Sequence, residues 1–332
     1  MNGTALSIAL LLASGIRIST PFILGTLGET LTERSGHLNL GVEGMMMLGA
    51  AMSYIVSVYT QNVILAFLGG MIGAMFGALI YAFLTVSLRT NQTVTGLALT
   101  MFGVGLGNTI GKLGKGAGVP ETVSQWFAHT PLALPDGFGE GIPVLGSLLR
   151  FINAAFLKHN IFVYFTLVLA VLMAIILFKT SIGLNVRAVG ESPAAADASG
   201  MNVNRIKYLS ILIGGAFAGL AGAYYPLVHI GTWTDNITGG RGWIIVALVI
   251  FVRWHPIKAI FGSFLFGVLD VIGLRIATLI PAVASWPIFS EYAFNMYPYI
   301  MTIIVLIISY IRGKKGWMGP AALGKPYFRE ER

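Results

Sequence analysis

Long apolar runs broken by short polar ones make up most of this chain, and the breaks carry its individuality. A membrane-spanning helix needs about 20 predominantly apolar residues. Gly44–Leu88 has no charged residue, and Gln61 and Asn62 divide it into two such helices joined by a tight turn. Gln92–Gly111, Ile161–Phe178, Leu209–His229, Ala259–Ile280 and Pro298–Ile311 each predict a further crossing. Leu6–Leu31 is apolar but interrupted by Arg17 and Pro21, which leaves two readings. It is either an interfacial helix to about Gly15 followed by a span from near Ile18, or one kinked span with Arg17 facing protein. The pattern predicts an all-α polytopic transmembrane bundle of about eight or nine spans, with its N-terminus outside. A single transmembrane domain then covers residues 1–332.

One apolar run is too short. Trp243–Val252 follows the polar Gly231–Arg241 and ends at Arg253, His255 and Lys258. Runs of about 10–14 residues suggest a re-entrant or broken helix, and transporters place solute sites at such breaks. The competing reading is a tilted helix that continues through Thr238–Gly242. Asp270 lies roughly 20 Å from Pro256 at about 1.5 Å per residue. An acid at that depth is expected to face the bundle interior or a cavity. Arg275 is expected near the outer interface and is not assumed to be its partner.

Two polar segments stand out by length. Lys112–Asn160 holds Pro120, Pro131, Pro135 and Pro143, and reads as an outer loop containing an amphipathic helix over Gly146–Leu157. Trp126 and Phe127 read as interface anchors. Gly183–Tyr208 is the longest polar break of the C-terminal half. Within it Ser192 or Glu191 can cap a short helix, Pro193 suits its first turn, Ala194, Ala195 and Ala196 favour it, and Gly200 can close it. Arg187, Arg205 and Lys207 flank that helix, so the positive-inside rule places it in the cytoplasm.

Composition narrows the class. The sequence is 56% hydrophobic and 10% charged, where soluble domains carry about 25% charged residues. The 42 glycines suit close helix packing in a bilayer; Gly69, Gly73 and Gly77 form one ridge, Gly215 and Gly219 another. The absence of cysteine excludes disulfides and thiolate metal sites. The net charge of +8 collects at the ends of apolar runs and in a basic tail, residues 312–332, with Arg312, Lys314, Lys315, Lys325, Arg329 and Arg332. Topology and anionic lipid headgroups account for that pattern better than nucleic acid does. The N-terminus shows neither a basic n-region nor a small-residue cleavage pattern, so no removable signal is expected. The five histidines lack ligand spacing, and no catalytic set is visible. The Gly-rich run from Gly103 to Gly116 is no phosphate loop, since Leu106 stands where its first Gly would be and Leu113 follows Lys112. An ATP-driven process would therefore need a partner to hydrolyse ATP.

The Ala195-Ala196-x-x-x-Gly200 spacing resembles the coupling helix of bacterial ABC-importer permeases, the element that docks in a groove of the ATPase. Their motif usually begins with Glu; here Ala194 holds that place and Glu191 lies three residues earlier. A second set, Ser35-Gly36, Asn39-Leu40-Gly41 and Glu43-Gly44, resembles the signature of permeases that import purine and pyrimidine nucleosides, more distantly related to ribose and branched-chain amino-acid permeases. Arg187 to Pro193, Gly240-Arg241-Gly242-Trp243 and Arg253 to Pro256 are similar to the same pattern. The resemblance implies one of two homologous permease subunits in a heterodimer, with ABC ATPase subunits below that bind ATP and Mg. A lipoprotein would deliver nucleoside from outside, in the bacterial cytoplasmic membrane, and this chain would need no cofactor of its own. It further implies docking through Glu191, Ser192, Pro193, Ala194, Ala195, Ala196 and Gly200.

For the solute path the candidates are Asn39 and Glu43, then Asn91, Thr95, Trp233, Asp235 and Asn236. Asn and Asp suit ribose hydroxyls, and an aromatic suits a flat base. Asn39 and Glu43 have an equal alternative role, capping a half-helix and bracing its neighbours. Two other functional readings stay open: the same machine importing ribose or another small polar solute, and a secondary transporter driven by an ion gradient through Asp270 or Glu43.

Overall fold

The computed structural model describes residues 3–279 apart from 115, 136–137 and 139–142, together with 319–328 and parts of 296–311. Of the outer loop expected over Pro281–Tyr297, residues 281–295 lie outside the described residues, as do Arg312, Lys314, Lys315, Arg329 and Arg332. Twelve α-helices are formed among them: α1 (Gly3–Arg34), α2 (Val42–Thr60), α3 (Val63–Ala82), α4 (Gln92–Lys112), α5 (Glu121–Ala128), α6 (Pro143–Ile152), α7 (Ile161–Lys179), α8 (Ser181–Glu191), α9 (Pro193–Ala198), α10 (Val203–Tyr224), α11 (Arg241–Phe251) and α12 (Pro256–Leu279). No strand is present among the described residues. Among the described residues six helices are long and apolar enough to cross a membrane, and α12 adds 24 residues of similar character. The protein is a multi-pass helical membrane protein.

The first run is one helix, as the single-span reading expected, but Arg17, which that reading turned toward protein, is exposed. α1 continues for 32 residues through Pro21, about 48 Å at 1.5 Å per residue. Glu29 and Glu33 lie on its last turns, and the loop that follows is only residues 35–41. Arg17 is exposed on α1 and donates to Ser14 at 3.4 Å.

Local chemistry sets the helix ends. Gln61 turns the chain in a left-handed conformation (φ 51°), and Asn62 caps α3 by accepting from the amides of Ile64 and Leu65. Asn91, Asn160 and Asn202 cap α4, α7 and α10 in the same way. The helices then approach through glycine. A Cβ on Gly103 of α4 would stand 2.5 Å from Gly44 Cα of α2, and one on Gly49 of α2 would stand 2.5 Å from Gly219 Cα of α10. Such contacts let backbones meet where lipid offers no hydrophobic drive for association. α1, α2 and α10 are the most buried of the long apolar helices, while α3, α4 and α7 turn broad apolar faces outward.

The short run is broken, as one of its two readings expected. α11 spans 11 residues, about 16 Å, roughly half of a 30 Å hydrocarbon core. A tilted helix through Thr238–Gly242 is excluded by the left-handed backbone at Gly239 (φ 56°) and Gly240 (φ 79°). At the other end Arg253 and Trp254 are also left-handed (φ 57° and 53°), and α12 starts at once. Trp254 is pinned to the end of α1: its indole N–H donates to the Glu33 carboxyl, and the Arg34 guanidinium donates to its carbonyl at 3.3 Å.

Candidate translocation and coupling site

The N-terminal ends of α2 and α11 meet, and Glu43 stands between them. Its carboxylate accepts from Thr238 Oγ1 at 2.6 Å, from the Gly240 amide at 2.9 Å and from the Gly242 amide. Glu43 is in the first turn of its own helix, so one negative group serves the positive ends of two helices. Gly242 is obligatory there, because a Cβ on it would lie 2.5 Å from Glu43 Cα. Non-helical backbone inside a bilayer survives only where its polar groups are satisfied by protein or water; Glu43 satisfies the break before α11.

Asn39 is committed in the same way. Its backbone and side-chain N–H groups donate to the two Glu29 oxygens at 3.3 and 3.1 Å, while its Oδ1 accepts from the Gly41 amide at 3.0 Å. Leu38 is held from two more helices, by Gln92 Oε1 on its amide at 2.8 Å and by Tyr81 OH on its carbonyl at 2.7 Å. The loop between α1 and α2 is thus fixed by α1, α3 and α4. Within it His37 is buried, and its pKa is held well below the usual value by desolvation first and by the nearby Lys207 charge second.

The remaining path candidates fall at the two ends of α4. Asn91 caps its inner end, and Thr95 hydrogen-bonds to the Asn91 carbonyl at 2.8 Å and to Thr90 at 3.0 Å. At the outer end Asp235 pairs with Lys112 at 3.3 Å, and Asn236 makes two hydrogen bonds with Asn108 at 2.8 and 2.9 Å. Trp233 is buried against Gly111, with its ring centroid 5.7 Å from that of Tyr54. These groups are about 30 Å apart along the 21-residue helix, with Asn39 and Glu43 between them. On α4 the exposed face carries Val94, 64% exposed, and Met101, 78% exposed, in line with Asn91 and Asn108, whereas Thr95 and Trp233 are buried.

A polar cavity of ≈ 750 Å³ beside α1 was not anticipated as a unit. Arg17, Asn160, Tyr224, His229, Arg241 and Asp270 line it. Asp270 does face a cavity, and its partner is Arg241, at 3.3 Å. The signal lay in the depths: Arg241 opens a half-length helix and Asp270 lies at mid-height on its neighbour, so arithmetic on helix rise places them at one level.

The candidate docking segment is two helices rather than one. α8 runs to Glu191, Ser192 caps α9 by accepting from the Ala195 amide at 3.4 Å, Pro193 occupies the first turn, and Gly200 closes the segment in a left-handed conformation (φ 82°). Ala196 is buried with Val189 and Val203, whereas Ser192, Ala194, Ala195 and Gly200 are exposed. Glu191 does not cap; its carboxylate accepts from the Ala321 amide at 3.3 Å. Gly190 presses on the Arg34 carbonyl and the Gly36 amide, leaving no room for a side chain.

Comparison with known proteins bears on this arrangement. The model of a permease family described as the branched-chain amino acid transport system / permease component matches residues 11–309. A guanosine ABC transporter permease protein of Bacillus subtilis is 34% identical over 95% of this chain and 95% of its own length. A nucleoside ABC transporter permease protein of Lactococcus lactis is 31% identical over 98% of each. A Haloferax volcanii protein provisionally named a glucose ABC transporter permease is 35% identical over 96% of this chain and 98% of its own length. No solved structure matches. With a helical membrane bundle, a broken helix braced by Glu43 and an exposed capped helix on one end, the chain belongs to this family of ABC transporter permeases.

Proposed function

We propose that this chain is one of two homologous permease subunits of an ABC importer for nucleosides in a bacterial cytoplasmic membrane. A partner ABC ATPase binds and hydrolyses ATP, and a lipoprotein delivers the solute from outside; the chain itself is not an enzyme. The observation that carries the cargo is the near-complete alignment with two relatives named for guanosine and nucleoside transport. A second reading, a sugar as cargo, draws on the Haloferax relative named for glucose. The solute path runs along the exposed face of α4, from Asn91 inside to Asp235 and Asn236 outside, with the buried Thr95 and Trp233 backing its two ends. Glu43 and Asn39 support it by holding the broken helix and its loop.

Uptake of radiolabelled nucleosides, with the chain expressed beside its partner genes, tests both readings. Saturable nucleoside uptake that ribose and glucose do not compete for, and that is lost without the ATPase, is the expected result. Sugar uptake in its place would overturn the cargo, and nucleoside uptake surviving loss of the ATPase would overturn the energy source.

Force from the ATPase enters through Glu191–Gly200. A Cβ on Gly200 meets nothing within 4 Å, so a large side chain there projects from the docking face and strains only a left-handed residue. Gly200→Trp is expected to reduce transport by roughly 5–150-fold while basal ATP hydrolysis and subunit assembly persist. Wild-type coupling in that variant would remove the docking role.

A further inference from the structure

Residues 312–332 read as a basic tail beside anionic lipid headgroups; the described part, 319–328, folds back over the docking segment. The Ala322 amide donates to the Gly190 carbonyl at 3.0 Å, and the Gly324 amide donates to the Gly36 carbonyl at 3.2 Å. The Ala321 amide donates to Glu191 at 3.3 Å, and Tyr327 OH donates to Asp197 at 3.0 Å. Gly319 lies against the Trp254 ring, and the Arg89 guanidinium sits over Phe328 at 4.9 Å. Residues 319–328 therefore touch both ends of the docking segment, the loop after α1 and the turn after α11.

On the reading that Glu191–Gly200 receives an ABC ATPase, we propose that Gly319–Phe328 is the second half of that docking surface, and that it ties the docking helix to the loop carrying Asn39. The six residues of α9 extend only about 9 Å. A helix so short is not stable by itself, so its pose depends on what grips it, and the strap grips it at Glu191 and Asp197. The same strap leaves Ala321, Gly324, Lys325 and Pro326 exposed. Ala321 stands within hydrogen-bond distance of Glu191, so a groove that covers the exposed start of α9 meets the strap as well. Inward, the Ala322 and Gly324 bonds join Gly190 to Gly36, three residues before Asn39 and seven before Glu43. Motion of the docking helix thus has a backbone route to the brace of the broken helix that does not pass through α10.

The test uses the assembled transporter, with both permeases, the ATPase and the binding protein. A benzophenone amino acid is placed in turn at Ala194, Ala321 and Lys325, and photo-crosslinking to the ATPase is read. Crosslinks from all three positions are expected. A crosslink from Ala194 with none from Ala321 or Lys325 would overturn the strap while leaving the docking helix intact; none from any position would overturn the docking reading itself. A chain ending at Met318 is expected to hold the ATPase less firmly and to lose solute-stimulated hydrolysis by at least about 5-fold. Tyr327→Phe, which removes only the hydroxyl, is expected to fall between that chain and the wild type. Full stimulation in both variants would overturn the proposal.

Discussion

Glu43→Gln is expected to abolish transport and to lower the thermal midpoint of the purified protein. The carboxylate takes donors on both oxygens, Thr238 and Gly240 on one and Gly242 on the other. Glutamine has one acceptor oxygen, so either amide orientation turns an NH2 group toward a backbone N–H. The Thr238 hydroxyl can rotate to accept; the Gly240 and Gly242 amides cannot. Charge-assisted bonds contribute about 1.5–3 kcal/mol each, and a buried unsatisfied donor costs about 1–3 kcal/mol, so a loss of several kcal/mol is expected at the break. Thr238→Val deletes one donor and keeps the carboxylate. It is expected to lower the midpoint less and to leave measurable uptake. Normal uptake by Glu43→Gln at normal expression would refute both the brace and any contact with solute.

Much of this was legible in the residues, and the part that was not has a physical cause. Long apolar runs have one solution in a bilayer, which is why α2, α3, α4 and α7 fall close to their expected limits. The short run after Gly240 announced a broken helix for the same reason, since its length cannot span. The short helix α9 could be read from Ser192, Pro193 and Gly200, because caps act within a few residues. Long-range pairings left no comparable trace. Nothing local tells that Glu33 meets Trp254, or that Tyr327 reaches Asp197 across 130 residues. Glu29 and Glu33 carry no local sign of their partners either. Here they extend a helix whose acids are matched by Asn39 and Trp254 from elsewhere. The role of Glu43 was visible only as two alternatives; its three donors favour the brace, yet a brace beside a broken helix also decides whether a path exists there.

Packing through glycine makes the other large prediction, and α4 supplies its own control. Gly103 and Gly105 lie two residues apart on one helix and look alike in sequence. A Cβ on Gly103 would stand 2.5 Å from Gly44 Cα and from the Gly44 carbonyl oxygen, while one on Gly105 meets nothing within 4 Å. The atoms opposing Gly103 are backbone, which no rotamer change can move, so α2 and α4 must separate. Separation along that line would also draw Gly44 away from Gly103 just beyond Glu43, loosening the turn that feeds the broken helix. Gly103→Ala is therefore expected to destabilise by about 3 kcal/mol or more, the upper range for forced overpacking, and to reduce uptake with it. Gly105→Ala adds a methyl to an open face and removes glycine's backbone freedom, so it is expected to be neutral or stabilising by up to about 1 kcal/mol. Thermal unfolding in detergent, read by size-exclusion chromatography of the two variants side by side, decides the matter. Equal midpoints would mean that α2 and α4 do not cross at Gly44 and Gly103, and the half-helix they support would lose its frame.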